Sequence, residues 1–176
     1  DWSAHFDDGG NLGLLLLDGL ATVDLDDDLA IALARHRLPE TAIIDGRPSR
    51  PYSHWHYRCK GLRITHRECV DVLTRRAVVV MPNSLHAEGE RRRYEGELPG
   101  EHNRPAQVAA DVLDKAVKEV RALHYLGIPR EDGRLWQAGT RQRTALGFSG
   151  VCMKELNYHR DDVLHLLSDF CQVIGD

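Results

Sequence analysis

Asp24-Leu25-Asp26 places two carboxylates two residues apart at the end of an apolar run, Leu20-Ala21-Thr22-Val23. In a strand, residues i and i+2 point to the same side of the sheet. Both carboxylates would then stand side by side. Like charges so placed repel and need a compensating charge. A divalent cation supplies it, and Mg²⁺ or Mn²⁺ takes carboxylate oxygen in preference to nitrogen or sulfur. The same residues also fit an acidic turn, Asp24 to Asp28, that caps a following helix. The pair alone does not choose between these readings.

Three further groupings carry chemistry. Arg47-Pro48-Ser49-Arg50-Pro51-Tyr52-Ser53-His54 holds two arginines, two serines and a histidine where a loop enters a strand. Arginine forks onto phosphate oxygens, and serine hydroxyls and backbone N–H groups add donors, so the stretch is equipped for polyphosphate. His54 can donate to a phosphate without titrating; as a lone residue it also reads as a half-buried strand histidine. Asp71 lies between Val70 and Val72. An acid between β-branched residues on a strand is costly unless it faces a metal, a partner or solvent. A third carboxylate beside the first two would complete a two-metal site, in which ions roughly 3.5–4 Å apart stabilise the attacking and leaving oxygens of an in-line displacement. Ser84-Leu85-His86 follows the run Ala77-Val78-Val79-Val80-Met81 and would add donors to the same rim.

The elements that must position these groups belong to one domain, or one domain with a small appendage. The chain has 176 residues, 42% hydrophobic and 28% charged, with a formal net charge of −4. That net charge does not mark a nucleic-acid binder, but clusters at Arg47/Arg50, Arg75/Arg76 and Arg91-Arg92-Arg93 can hold phosphates locally. Each also reads as a solvated basic face. Cys59, Cys69, Cys152 and Cys171 form no CxxC pair. Zinc is therefore not expected, and reduced thiols in a cytoplasmic protein are the simplest account. No apolar run is long enough to span a membrane. The chain opens at Asp1-Trp2 without Met and reads as a piece of a longer product.

Residues 11–17 suit a buried strand, Asp18-Gly19 a turn, and residues 20–26 a second strand, so a hairpin is expected. Residues 29–37 read as a helix ending before Pro39. Strands are expected over 41–44, 53–58, 69–72 and 77–81, with a loop over 46–51 whose prolines exclude a helix. Residues 88–105 turn to Gly, Arg, Glu and Pro and read as a loop or boundary. Beyond Pro105, Val108, Val112, Leu113, Val117, Val120 and Leu123 recur at helical spacing up to Gly127. Residues 129–133 read as a linker. Helices are expected over 144–156 and 161–174, joined by Asn157-Tyr158. The fold class is α+β, a mixed-sheet lobe followed by a helical tail.

The order of acid pair, phosphate loop ending in histidine and third acid resembles the archaeo-eukaryotic primase superfamily. More narrowly, it resembles the primase–polymerase domain of plasmid and phage primase-helicase replication proteins. Val23-Asp24-Leu25-Asp26 matches that family's first motif, residues 46–55 its second and Val70-Asp71 its third. Pro82-Asn83-Ser84-Leu85-His86 matches a segment that commonly follows. The tail over residues 139–150 is similar to the helical segment linking such domains to a helicase. The chain departs at Tyr52, at Leu73-Thr74 where many members have Arg-Gly, and at Asn83 where a second proline is frequent.

The resemblance implies a primase-type (RRM-like) catalytic core over residues 1–104, its opening segment lying ahead of Asp1. A helical tail over 105–176 would lead toward a helicase domain in the parent chain. It implies template-dependent nucleotidyl transfer by a DNA primase or DNA polymerase. Asp24, Asp26 and Asp71 would hold two Mg²⁺ or Mn²⁺ ions. His54, Ser53, Arg47, Ser49 and Arg50, with Ser84 and His86, would grip the nucleoside triphosphate, NTP or dNTP. Single-stranded DNA template and primer would be the partners, in a cytoplasmic setting without a membrane. A metal-dependent nuclease also needs clustered carboxylates and a histidine, but has no need of the triphosphate loop. A catalytically silent DNA-binding or oligomerisation module of a replication protein is the third reading.

Overall fold

Alternation along residues 20–25 organises the molecule: Ala21, Val23 and Leu25 are buried on one side of the strand, while Thr22 and Asp24 take the other. The computed structural model of the protein describes residues 4, 10–17, 19–66, 69–96, 98–128 and 135–175. The elements run in the order β1 (Gly13–Leu15), β2 (Leu20–Leu25), α1 (Asp28–Arg37), β3 (Ile44–Arg47), β4 (Arg50–Arg58) and β5 (Val70–Thr74). There follow β6 (Val78–Val80), β7 (Arg93–Tyr94), β8 (Ala106–Gln107), α2 (Ala110–Gly127), α3 (Arg141–Glu155) and α4 (Arg160–Ile174). This is an α+β architecture.

The main sheet has the order β5-β2-β4-β3-β7, antiparallel throughout, and the short β8 adds to β4 in parallel. Strand β4 therefore lies at the centre, and β2 sits between β4 and β5. The crossover β2-α1-β3 is split, because β4 inserts between the strands it joins. One face carries Val23, Leu25, Trp55, Tyr57, Val70 and Val72. These pack against Leu33 of α1, Leu113, Val117, Val120 and Leu123 of α2, and Leu166 and Phe170 of α4 in a single cluster. The helices beyond residue 104 thus share the hydrophobic core of the sheet. The other face carries Thr22, Asp24, His54, His56 and Asp71 alongside Leu20 and Leu73.

The expected hairpin over residues 11–26 does not form. β1 pairs with β6, with Leu14 opposite Val79, in a separate two-stranded sheet. Both edges of β2 are already occupied by β4 and β5, so no ladder position is left for β1. Asp18 of the expected turn and the expected linker over 129–133 lie outside the described residues. The strand expected over 41–44 is displaced to Ile44–Arg47, and the Thr41 hydroxyl before it donates to His56 O (2.7 Å) and accepts from the Ala106 N–H (3.0 Å).

The expected loop over 46–51 is instead a tight reversal between β3 and β4, with a register shift after Asp45. Gly46 makes it possible. A Cβ there would lie 2.6 Å from Arg50 O and 2.8 Å from Tyr52 N, both backbone atoms that cannot rotate away. Gly46→Ala is expected to cost about 1–3 kcal/mol, the usual penalty of overpacking. Chemical denaturation measures it, and an unchanged midpoint would show that the reversal is looser than described.

Candidate functional site

The register of the sheet builds the site. Asp24 of β2 lies directly opposite Asp71 of β5 on one side and His54 of β4 on the other. His54 in turn faces Asp45 of β3, and Asp45 faces Tyr94 of β7. Residues directly opposite in an antiparallel ladder share a face. Asp71, Asp24, His54 and Asp45 therefore form one row across four strands, on the face away from the helices. Asp26 extends this group just beyond the end of β2.

The row runs from open to closed. The side chains of Asp24 and Asp71 are 30% and 28% accessible, whereas Asp45 is fully buried. Burial, then repulsion from Asp24 and Asp71, pushes the Asp26 carboxyl above its ordinary value, with Arg50 opposing the rise. Three carboxylates thus crowd one another with limited cationic relief. Oxygen donors with unbalanced negative charge fit Mg²⁺ or Mn²⁺. Each flanking acid also has a histidine: His54 Nε2 lies 3.0 Å from Asp24 Oδ1, and His66 Nδ1 lies 2.8 Å from Asp71 Oδ2.

The residues expected to grip phosphate separate into two groups. Arg47, Ser49 and His86 come together where the β3–β4 reversal meets the segment before β7. Arg47 Nη1 lies 3.2 Å from His86 Nδ1 and pairs with Glu88, and Ser49 donates to Glu90. Carboxylates therefore occupy the donors that a phosphate would use. Arg50 acts on Asp26, as described above. Ser53 and Ser84 are not brought to this rim. Ser53 is buried and alternates with His54, which puts it out of phase with the acidic row. Ser84 is fully buried and accepts from the Leu12 N–H (2.8 Å), tying the approach to β1 to the segment after β6.

Three participants were not evident as site residues in the sequence: Asp45, His56 and Arg92. His56 Nε2 lies 2.6 Å from Asp45 Oδ2, and His56 Nδ1 lies 2.9 Å from Thr22 Oγ1. Arg92 pairs with Asp45 Oδ1 through Nε (3.1 Å) and Nη2. The arginine run 91–93 is thus divided: Arg92 is buried, Arg93 is exposed beside Glu95, and Arg91 bonds Asn83 O. Burial would raise the Asp45 carboxyl, but bonding by His56 and the charges of His54, His56 and Arg92 hold it below its ordinary value. The period-two spacing that pairs Asp24 with Asp26 equally pairs His54 with His56. Asp45 carries the same signal as Asp71, an acid inside a strand. The arginine run marks Arg92 only as a phosphate holder or solvated charge, and only the tertiary fold brings it to Asp45.

Asp45, His54 and His56 also place three potential ligand atoms within 4.8 Å of one another. Arg92 already neutralises this carboxylate, and both ring nitrogens of His56 are engaged. The cluster suits a cation less well than the acidic row does.

The acidic run 24–28 divides its work. Asp27 caps α1, accepting from the Ala30 N–H (2.8 Å), and Asp28 opens the helix. Asp27 also takes His124 Nε2 of α2 at 2.6 Å. Burial disfavours the charged ring, but hydrogen bonds to Asp27 and Cys69 outweigh it and push His124 up to about 9. Asp27 is held below its ordinary value despite its burial, by His124 and the Ala30 N–H.

The signs of these shifts set a pH window. The His124 contribution is complete below its unfolded value of 6.5 and is lost as pH rises through about 9. The Asp27 contribution is present above 3.8 and is lost as pH falls below that value. The expected result is a thermal midpoint that falls between pH 6.5 and 10, and a weaker fall in His124→Gln. Identical pH profiles for the two proteins would exclude this pair as the cause.

No protein-family model, curated protein or solved structure matches this chain. Among the described residues, no helix is long and apolar enough to cross a membrane.

Proposed function

We propose that this chain catalyses metal-dependent, template-directed nucleotidyl transfer, as a DNA primase or DNA polymerase of the primase–polymerase type acting in plasmid or phage replication. The observation that carries this reading is the register Asp71–Asp24–His54 with Asp26 beside it. Three acids and a histidine, from segments far apart in sequence, meet on one open sheet face. The split crossover of the sheet supports an RRM-like core of the kind the resemblance implies.

Asp24, Asp26 and Asp71 would hold two Mg²⁺ or Mn²⁺ ions. When bound, these ions activate a 3′-hydroxyl and neutralise charge on the departing pyrophosphate. The chain's own side chains bind and orient. His54 presents Nε2 at Asp24, in reach of a triphosphate lying along the row. Arg47, Ser49 and His86 offer donors at the neighbouring reversal, where phosphate oxygens would replace the carboxylates of Glu88 and Glu90. Arg50 relieves charge at Asp26. Positioning and electrostatics supply the rate, and no covalent nucleophile is required. Template and primer would contact exposed arginines through phosphate, with affinity falling steeply as salt rises. A helicase in the parent chain would be the downstream partner of the helical segment.

The occupation of Arg47 and Ser49 by Glu88 and Glu90 favours a second reading, a metal-dependent nuclease that has no use for a triphosphate. One experiment decides. The protein is incubated with primed and unprimed single-stranded DNA, Mg²⁺ or Mn²⁺, and labelled nucleotides. Extended or newly primed products support the proposal. A shortened template supports the nuclease. DNA binding with neither product supports a silent module and overturns both.

A further inference from the structure

We propose that β6 is a docking edge for an extended, acidic segment of a partner protein. The segment adds to the β1–β6 ribbon as a third strand. It lays alternate apolar side chains on the outer face of the ribbon and sets its carboxylates at Arg58, Lys60 and Arg76.

The ribbon is incomplete as a sheet. β1 and β6 pair only with each other, and two strands alone are marginal in water. The inner side chains Leu16 and Val79 are fully buried. On the outer face Leu15, Val78 and Val80 are exposed, as is Leu17 just beyond β1, with Leu17 and Val78 keeping 64% and 62% accessibility. A cluster of exposed aliphatic side chains with a charged rim marks an interaction surface.

The backbone of β6 is equally open. In an antiparallel ladder, alternate opposed pairs exchange hydrogen bonds and the pairs between them do not. Leu16 N donates to Ala77 O and Met81 N donates to Leu12 O, both at 2.8 Å. With Leu14 opposite Val79, the bonding positions on β6 are therefore Ala77, Val79 and Met81. The N–H and C=O groups of Val78 and Val80 point away from β1. Such an edge is a template for another strand.

Cations gather at one end of the ribbon. Arg76 N donates to Leu16 O (2.8 Å), which sets Arg76 beside Leu17. Cys59 N donates to Gly19 O (2.8 Å), and the stem of Lys60 lies over Gly19. Leu17 lines one cavity with Arg58 and Lys60. Among the described residues, no carboxylate pairs with Arg58, Lys60 or Arg76. Arg76 also holds a left-handed backbone, with φ of 71°, in a tight turn closed by Ala77 N and Thr74 O (3.1 Å). Gly or Asn suits such a position, so an arginine sits there at a backbone cost, which points to a use for its charge.

These three features together select the partner. Acyl chains of a membrane would cover the valines but leave the N–H and C=O groups of β6 without partners. Nucleic acid would meet the cations, but the patch offers aliphatic side chains in place of the aromatic platforms on which bases stack. A peptide strand supplies backbone bonds, apolar side chains and carboxylates at once.

The test selects binders from a random peptide library displayed on phage, with the full chain as bait at low salt. Peptides that alternate apolar residues and carry acids toward one end are expected, and one of them is then made synthetically. Methylating its alternate backbone nitrogens should abolish binding. Arg58→Glu/Lys60→Glu should weaken it about 5-fold or more, since each exposed charge pair is worth a few-fold, and the loss should shrink as salt rises. Val80→Pro removes an outward N–H without touching a bond to β1 and should also abolish binding, with folding checked by its thermal midpoint. If that variant unfolds, the methylated peptide tests the same bonds from the other side. The proposal is overturned if no acidic, alternating peptide is selected, or if binding ignores backbone methylation or the charge reversal. Competition by single-stranded DNA, or by vesicles of anionic phospholipid, would give the patch to that partner and overturn it too. Self-association of the chain that Val80→Pro removes would assign the edge to a second copy, with the same consequence.

Discussion

Asp24→Ala is expected to lower primer extension by about 10²-fold or more, the scale seen when a preorganised electrostatic group is removed from an active site. The fold should survive. Asp24 is 30% accessible, and its removal leaves Nε2 of the buried His54 without that partner. Its other neighbours are Asp71 directly across the ladder and Asp26 two residues on, both like charges. Relief of their repulsion offsets the lost contact to His54, so the thermal midpoint should change little. The carboxyl of Asp26 should also move back toward its ordinary value. Binding of single-stranded DNA through exposed arginines should be unchanged. The informative outcome is this combination, with extension lost while folding and DNA binding are kept. Extension at the wild-type rate would show that the acidic row is not the site of chemistry. Loss of folding would show that Asp24 is held by contacts other than those described.

Arg37→Ala is expected to cost about 3 kcal/mol, the lower end of the range for breaking a buried ion pair by removing one partner. Arg37 closes α1 against two helices distant in sequence. Its Nε and Nη2 reach Glu119 Oε2 of α2 at 3.0 and 2.6 Å, and its Nη1 reaches Asp169 Oδ2 of α4 at 2.6 Å. Glu119 is only 5% accessible and would be left charged without its principal partner. Arg37 and Asp169 keep 21% and 23% accessibility, and solvent there moderates the loss. Urea denaturation should show a lower midpoint with an unchanged slope. A loss below about 1 kcal/mol would place this network among exposed ion pairs of little consequence. Because α4 carries Leu166 and Phe170 into the common core, loosening it should also speed proteolysis at the C-terminal end.

Local patterns were legible where one segment settles its own conformation. The helix of α1 follows from acids at its start, basic residues in its last turn and Pro39 beyond its end. The apolar spacing of Val117, Val120 and Leu123 marks α2, and these residues are buried. The capping role within Asp24 to Asp28 was also legible, and Asp27 carries it. Pairing was less so. Leu14 and Val79 have the composition of strands, yet nothing local to residues 11–17 says that β6, rather than β2, is their partner. Competition for the edges of β2 decides it.

The sequence by itself determined which residues are able to do chemistry. Alternation fixes that Asp24 and Asp26 share a face, and that His54 and His56 do too, because side chains on a strand repeat every two residues. Only the tertiary structure decided which of these faces meet. The register across β5, β2, β4 and β3 sets Asp71, Asp24, His54 and Asp45 in one row, and a shift of one residue in any ladder would turn that strand's acid or histidine into the helical core. The fold also reassigns residues of one type. Arg92 is drawn inward by a buried carboxylate, while Arg93 beside it stays in solvent. Burial and long-range partners govern such choices, and neither is a property of a short stretch of chain.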